Sequence, residues 1–129
     1  MKKFLAVIIG VSLSFSIIAI GAILVVRSFG TPGPVPDLDA VRAMVGSLSV
    51  VGLIMMILSH AIGSLIGGLA VGFILKEDTM NVGLTLGAVL TILGLVNMIV
   101  FTSYPEWFYL DFIVFIPCSM AGANYTSKL

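Results

Sequence analysis

Residues 43–75 read AMVGSLSVVGLIMMILSHAIGSLIGGLAVGFIL, 33 residues without one acidic or basic carboxylate, ammonium or guanidinium group. An α-helix rises ~1.5 Å per residue and the hydrocarbon core of a bilayer is ~30 Å thick, so about 20 apolar residues cross it. This run is longer than a crossing requires. Working outward, residues 4–26 and 80–103 form two more uncharged runs, and residues 106–123 a fourth, weaker one that Asp111 interrupts. The pattern predicts an all-α protein, a four-transmembrane-helix bundle running up-down-up-down. The spans fall at about 4–26, 45–75, 80–103 and 106–123 of a single membrane domain, 1–129.

Composition agrees. Hydrophobic residues make up 60% of the 129 and charged ones 9%, and the mean hydropathy is +1.24. A soluble globule of this size has to cover more surface with polar groups than that. The formal net charge is zero, which gives no pull toward nucleic acid. Cys118 is the only cysteine, so an internal disulfide and a cysteine-cluster metal site are both excluded. Lys2 and Lys3 precede the first run as in a secretory leader. That run exceeds the ~7–15 residues of a leader's apolar region and no small-x-small site precedes Arg27, so it is expected to stay as a helix.

The Lys and Arg count orients the spans. With the N-terminus inside, Lys2, Lys3, Lys76 and Lys128 are cytoplasmic, and only Arg27 and Arg42 lie outside. Both termini are then cytoplasmic. The first connection carries Thr31-Pro32-Gly33-Pro34-Val35-Pro36, which should be extended because proline fixes φ and removes donors. Asp37 is suited to cap a helix that starts near Leu38 and continues unbroken into the second span. Val41, Met44, Val45 and Leu48 share one side of it, an apolar stripe that should fold over the outer mouth of the bundle. Lys76-Glu77-Asp78-Thr79 reads as a tight inner turn joining spans two and three as a hairpin. Pro105 is expected to open the fourth helix, with Tyr104, Trp107 and Tyr109 in an interfacial aromatic belt.

Small residues mark the faces that pack, since helices in lipid associate by close backbone approach. In span two, Ser59, Gly63 and Gly67 make one ladder and His60, Ser64, Gly68 and Gly72 the adjacent one; together they form a broad face. Leu58, Ile62, Leu65, Leu69 and Phe73 lie opposite, toward lipid. Gly83, Gly87 and Gly94 share a face of span three, and Gly10, Ser14 and Gly21 line one side of span one. The plain reading is packing. Any small face left uncovered would serve a second copy or a larger membrane complex.

His60, Asn97 and Asp111 are the strongly polar side chains at depth, and such residues usually face the bundle interior and find partners. Counted from the inner turn, His60 and Asn97 reach nearly the same level, and Asp111 reaches it from the outer surface. This predicts a His60–Asn97–Asp111 cluster, with His60 facing Asn97 across the interface of spans two and three. One reading of the cluster is structural, a neutral histidine locking the hairpin through Asn97. The other is functional, His60 and Asp111 holding a proton or cation from the outer side. His60 is the only histidine and no nucleophile motif or phosphate loop is present, so neither a metal, a cofactor nor an enzymatic activity is expected.

Several stretches also resemble a family. Ser59-His60-Ala61-Ile62-Gly63-Ser64-Leu65-Ile66-Gly67-Gly68, Gly94-Leu95-Val96-Asn97, Pro105-Glu106-Trp107-Phe108, and Pro117 followed by Gly122 look like segments of small uncharacterised bacterial four-span inner-membrane proteins. The resemblance covers the last two thirds of the chain. It departs in a longer connection before Pro105 and in the tail Asn124-Tyr125-Thr126. It implies a bacterial cytoplasmic membrane and no activity. Function is thus expected to be that of a non-enzymatic accessory or structural subunit, packing through its glycine faces in a homo-oligomer or larger membrane complex. The alternative is a small proton- or cation-coupled transporter or channel, acting as an oligomer, with His60 and Asp111 at its site.

Overall fold

The computed structural model describes residues 1–30, 37–101 and 103–129; the Pro-rich segment 31–36 lies outside them. Every regular element among the described residues is helical: α1 Lys2–Phe29, α2 Leu38–Gly46, α3 Val50–Ile74, α4 Thr79–Val100, a 3₁₀ segment Glu106–Asp111, and α5 Phe112–Ser127. α1, α3 and α4 are long and apolar enough to cross a membrane. α5, at 16 residues, spans only ~24 Å by itself.

Two expectations about helix boundaries change. The helix starting at Leu38 does not run on into the second span. It ends at Gly46, and α3 restarts at Val50 with Ser49 Oγ accepting from Gly52 N at 3.2 Å. A serine that can satisfy an orphan helical N–H competes with helix continuation, which is why the break falls at residues 47–49. Pro105 opens a 3₁₀ segment, and α5 begins at Phe112. Asp37 does cap α2, its side chain accepting from Ala40 N at 2.8 Å.

Packing order is the larger correction. α3 lies mainly against α1 and α5, and α5 mainly against α3 and α4, while α3 and α4 touch much less. The four long elements therefore form a ring in the order α1, α3, α5, α4. α5 is wedged between the two helices that the short turn at residues 75–78 joins. Gly10 meets Gly67 and Val71, and Gly21 meets Ser59, so α1 and α3 run antiparallel; Gly68 meets Ser119 and Gly72 meets Ala123, so α3 and α5 run parallel. Gly83 meets Ala123 and Gly87 meets Ile116, so α4 and α5 are antiparallel.

The two ladders of α3 consequently serve two neighbours. Gly63 and Gly67 sit on Ser14, Ile18 and Gly10 of α1, whereas Gly68 and Gly72 sit on the α5 backbone. A Cβ on Gly68 would lie 2.1 Å from Ser119 O, and one on Gly122 would lie 2.3 Å from Leu65 O. Only glycine permits that approach. Ser119 Oγ donates to Gly83 O and Thr126 Oγ1 to Leu69 O, both at 2.9 Å, so α5 is pinned to each neighbour by a hydroxyl. Leu58, Ile62, Leu65 and Phe73 point outward, and Leu69 is half-buried.

Each end of the bundle has its own fastening. At the turn end, Lys3 Nζ pairs with Asp78 at 2.5 Å, tying the start of α1 to the α3–α4 connection. The Asp78 carboxyl is held below the usual carboxylate range, first by the Lys3 hydrogen bond and then by that from Asn81. At the α2 end, Val45 and Leu48 pack with Val25, Leu53, Met56 and Phe108 into a second core cluster. Arg42 Nε donates to Val100 O at 3.0 Å, holding α2 over the end of α4.

Candidate functional site: a buried histidine–carboxylate pair

His60 lies ten residues into α3, and Asp111 ends the 3₁₀ segment that leads into α5. Because α5 is wedged beside α3, His60 Nδ1 comes within 2.6 Å of Asp111 Oδ2. The side chains are 15% and 3% exposed. A contact of that length is a short hydrogen bond between the imidazole and the carboxylate. Phe115, four residues after Asp111 and thus on the same stripe of the chain, stacks on the imidazole with centroids 5.5 Å apart. Ser64, also part of the ladder, turns its hydroxyl back onto His60 O at 2.7 Å and does not touch the ring.

The second carboxylate oxygen, Oδ1, is buried and accepts no hydrogen bond among the described residues. The pair borders a cavity of about 70 Å³, walled by His60, Asp111, Phe108 and Phe115 on one side and by Leu93, Gly94 and Asn97 of α4 on the other. Asn97 thus lines the same cavity as the other two polar residues. It does not face His60 across a shared interface as expected. No hydrogen bond joins the two among the described residues, and Asn97 is exposed. Equal residue counts from the turn fix depth along the bundle but not which helix stands between, and α5 takes that place.

Phe108 stacks on Tyr104 behind the cavity wall, with centroids 4.5 Å apart. Burial, with the Asp111 charge as a smaller contribution, pushes the Tyr104 hydroxyl up to about 12, so Tyr104 stays neutral near physiological pH. Toward the turn end the site closes on Leu86, Leu90 and Phe115, part of the main core cluster. The aromatic partners Phe108 and Phe115 were not singled out from the sequence, although the i+4 spacing of Phe115 from Asp111 was a usable signal. Among the described residues no third His, Cys, Asp or Glu joins the pair, so its chemistry is that of an ionisable couple. No family model, curated protein or solved structure matches the chain.

Proposed function

We propose that the protein is a non-enzymatic, four-crossing integral membrane protein whose His60–Asp111 pair exchanges a proton with the outer side. In this reading it works as a small proton-coupled transporter, in an oligomer. The observation that carries it is the 2.6 Å contact between an imidazole and a carboxylate that is 3% exposed, inside a bundle otherwise built of apolar and small residues. Ionisable groups at membrane depth are costly and mark proton or ion pathways by default. Histidine is the side chain whose charge changes near neutral pH.

The fourth crossing comes from the 3₁₀ segment and α5 together. Six residues at ~2.0 Å and sixteen at ~1.5 Å reach ~36 Å, enough for the hydrocarbon core. The lysines gather at the turn end and at both termini, which supports cytoplasmic ends in a bacterial inner membrane. An oligomer is invoked because the core around Leu86, Leu90 and Phe115 closes each single chain between the pair and the turn end. Proton flux into proteoliposomes, followed with a pH-sensitive dye, tests the reading. Flux that is present in the wild type and falls at least tenfold in both His60→Ala and Asp111→Asn supports it; equal flux in all three removes the site.

A second reading, an accessory or structural subunit in a homo-oligomer or larger complex, needs a new docking surface. The ladders Ser59–Gly63–Gly67, Gly68–Gly72 and Gly83–Gly87–Gly94 are occupied within the chain. The observation that favours it is an apolar cleft of about 450 Å³ between α1 and α3, bordered by Leu24, Phe29, Met55 and Ile62. Crosslinking in native membranes tests it, and a purely monomeric product would exclude it.

A further inference from the structure

Away from the histidine–carboxylate pair, the apolar cleft of about 450 Å³ runs between α1 and α3. Its floor is closed protein, because Gly21 meets Ser59 and Gly52 meets Phe29, so the two helices touch at two levels along it. The small residues Gly21 and Ser59 keep that floor low. Exposed Ile20 and Leu24 form one rim, and exposed Met55, Leu58 and Ile62 the other. The shape suits something narrow and apolar.

The cleft occupies one half of the crossing. Along α1 it extends from Ile17 to Phe29, roughly 18 Å at ~1.5 Å per residue, and one leaflet of a ~30 Å hydrocarbon core is about 15 Å deep. The other half of α1, from Lys2 to Ser16, adds nothing to its lining. A partner helix crossing the membrane would be ~10–12 Å wide and would need a groove along the whole span; one acyl chain needs a groove one leaflet long. Arg27, exposed in the last turn of α1, stands about 15 Å beyond Ile17, at the level where the headgroup of such a lipid begins. It follows Leu24 by three positions and Ile20 by seven, and so shares their stripe of the helix. Among the described residues Arg27 pairs with no carboxylate, whereas Asp39 is taken by Arg42 and Asp111 by His60.

We propose that the cleft is a binding site for one glycerophospholipid of the leaflet at the α2 end: an acyl chain lies between α1 and α3, and the phosphate takes the Arg27 guanidinium. The guanidinium fork matches phosphate oxygens with two charge-assisted hydrogen bonds. The long arginine stem reaches the headgroup level while its methylenes stay against apolar surface. The second acyl chain stays in the surrounding bilayer. This site is independent of proton exchange at His60 and Asp111, and of which face of the membrane the α2 end meets. It competes with a second copy for the same cleft, so the experiment has to tell the two occupants apart.

Native mass spectrometry of the detergent-solubilised protein reads the binding, with phosphatidylglycerol as the probe and diacylglycerol of the same two chains as the phosphate-free comparison. Wild type should bind phosphatidylglycerol at least fivefold more tightly than diacylglycerol; fivefold is about 1 kcal/mol, the usual attraction of one Arg to anionic lipid. Arg27→Ala should lose that preference. Ser28→Trp, at an exposed position lining the cleft, should weaken both lipids by filling the space. Lys128→Ala removes one exposed cation at the other end of the bundle and should leave the preference within twofold. Each variant is first matched to wild type in helical circular dichroism. For location, phosphatidylglycerol with a diazirine on its acyl chain should label residues 17–29 and 55–62. No preference in wild type, or an unchanged preference in Arg27→Ala, overturns the proposal, and so does labelling spread evenly over the long helices. A dimer that Ser28→Trp abolishes and phosphatidylglycerol does not displace would seat a second copy in the cleft and refute the lipid site.

Discussion

Replacing Gly68 with alanine should loosen the whole α3–α5 seam. The added Cβ would lie 2.1 Å from Ser119 O, 2.9 Å from Ser119 C and 3.0 Å from Ser119 Cα. These atoms are backbone and cannot swing aside. Ordinary contact begins at 3.4 Å, so the two helices must part by about 1.3 Å along that direction. Gly72 and Gly122, which also approach backbone closely on the same seam, lose packing with it. The Thr126–Leu69 hydrogen bond, 2.9 Å long, is stretched. Overpacking of this kind costs about 1–3 kcal/mol, and ~2 kcal/mol is roughly a 30-fold change in the folding equilibrium. Gly46→Ala is the matched control, because its Cβ would meet only the Ser103 side chain, at 3.4 Å and beyond, and its effect should stay below ~0.5 kcal/mol. Unfolding in mixed micelles with increasing dodecyl sulfate, read from the single tryptophan, Trp107, measures both. Trp107 packs edge-on to Phe108, so its emission reports the fold. Equal stability of Gly68→Ala and wild type would refute the seam.

Other outcomes follow from the fastenings. Asp78 has a folded-state pKa depressed by Lys3, so its contribution is present above the unfolded carboxylate value of ~4 and is lost as pH falls through the lower folded value. Acid unfolding curves should therefore lose that component in Lys3→Ala, and identical wild-type and Lys3→Ala curves would contradict it. Ser119→Ala and Thr126→Val each remove one interhelical hydroxyl bond and should each cost about 0.6 kcal/mol. The double variant should be additive, since the two bonds go to different helices; a larger-than-additive loss in the same micelle assay would show one coupled network. Arg42→Ala frees α2 from Val100 O. Hydrogen exchange should then speed up about threefold or more across residues 38–46 and stay unchanged in α3.

The three long helices were legible because nothing in residues 4–26, 43–75 or 80–103 interrupts an apolar run, and hydrocarbon tolerates little else. The α2 cap was legible at Asp37, where the side chain that stops one segment starts the next. Ser49 was not, because a serine inside a continuous apolar run looks like part of the helix until its hydroxyl is seen on Gly52 N. Periodicity placed His60, Gly63, Gly67 and Gly68 on one broad face of α3. It could not say that the face is shared, Gly63 and Gly67 going to α1 while His60 and Gly68 go to α5. That division depends on α5 lying between α3 and α4, a long-range choice that a count along the chain does not carry. The same limit explains the site. Residue counting brought His60, Asn97 and Asp111 to one level, but which two of them bond is set by the neighbour order.

Proton exchange between the proposed His60–Asp111 site and the outer side is decided by a pH jump. Proteoliposomes loaded with a pH-sensitive dye are shifted by one unit outside, for wild type, His60→Ala and Asp111→Asn, each first shown to be folded by its helical circular dichroism. When the outside pH is lowered, wild-type vesicles should acidify rapidly inside and each variant should respond at least tenfold more slowly. Wild-type vesicles that respond no faster than protein-free ones, or variants that respond as fast as wild type, would contradict it.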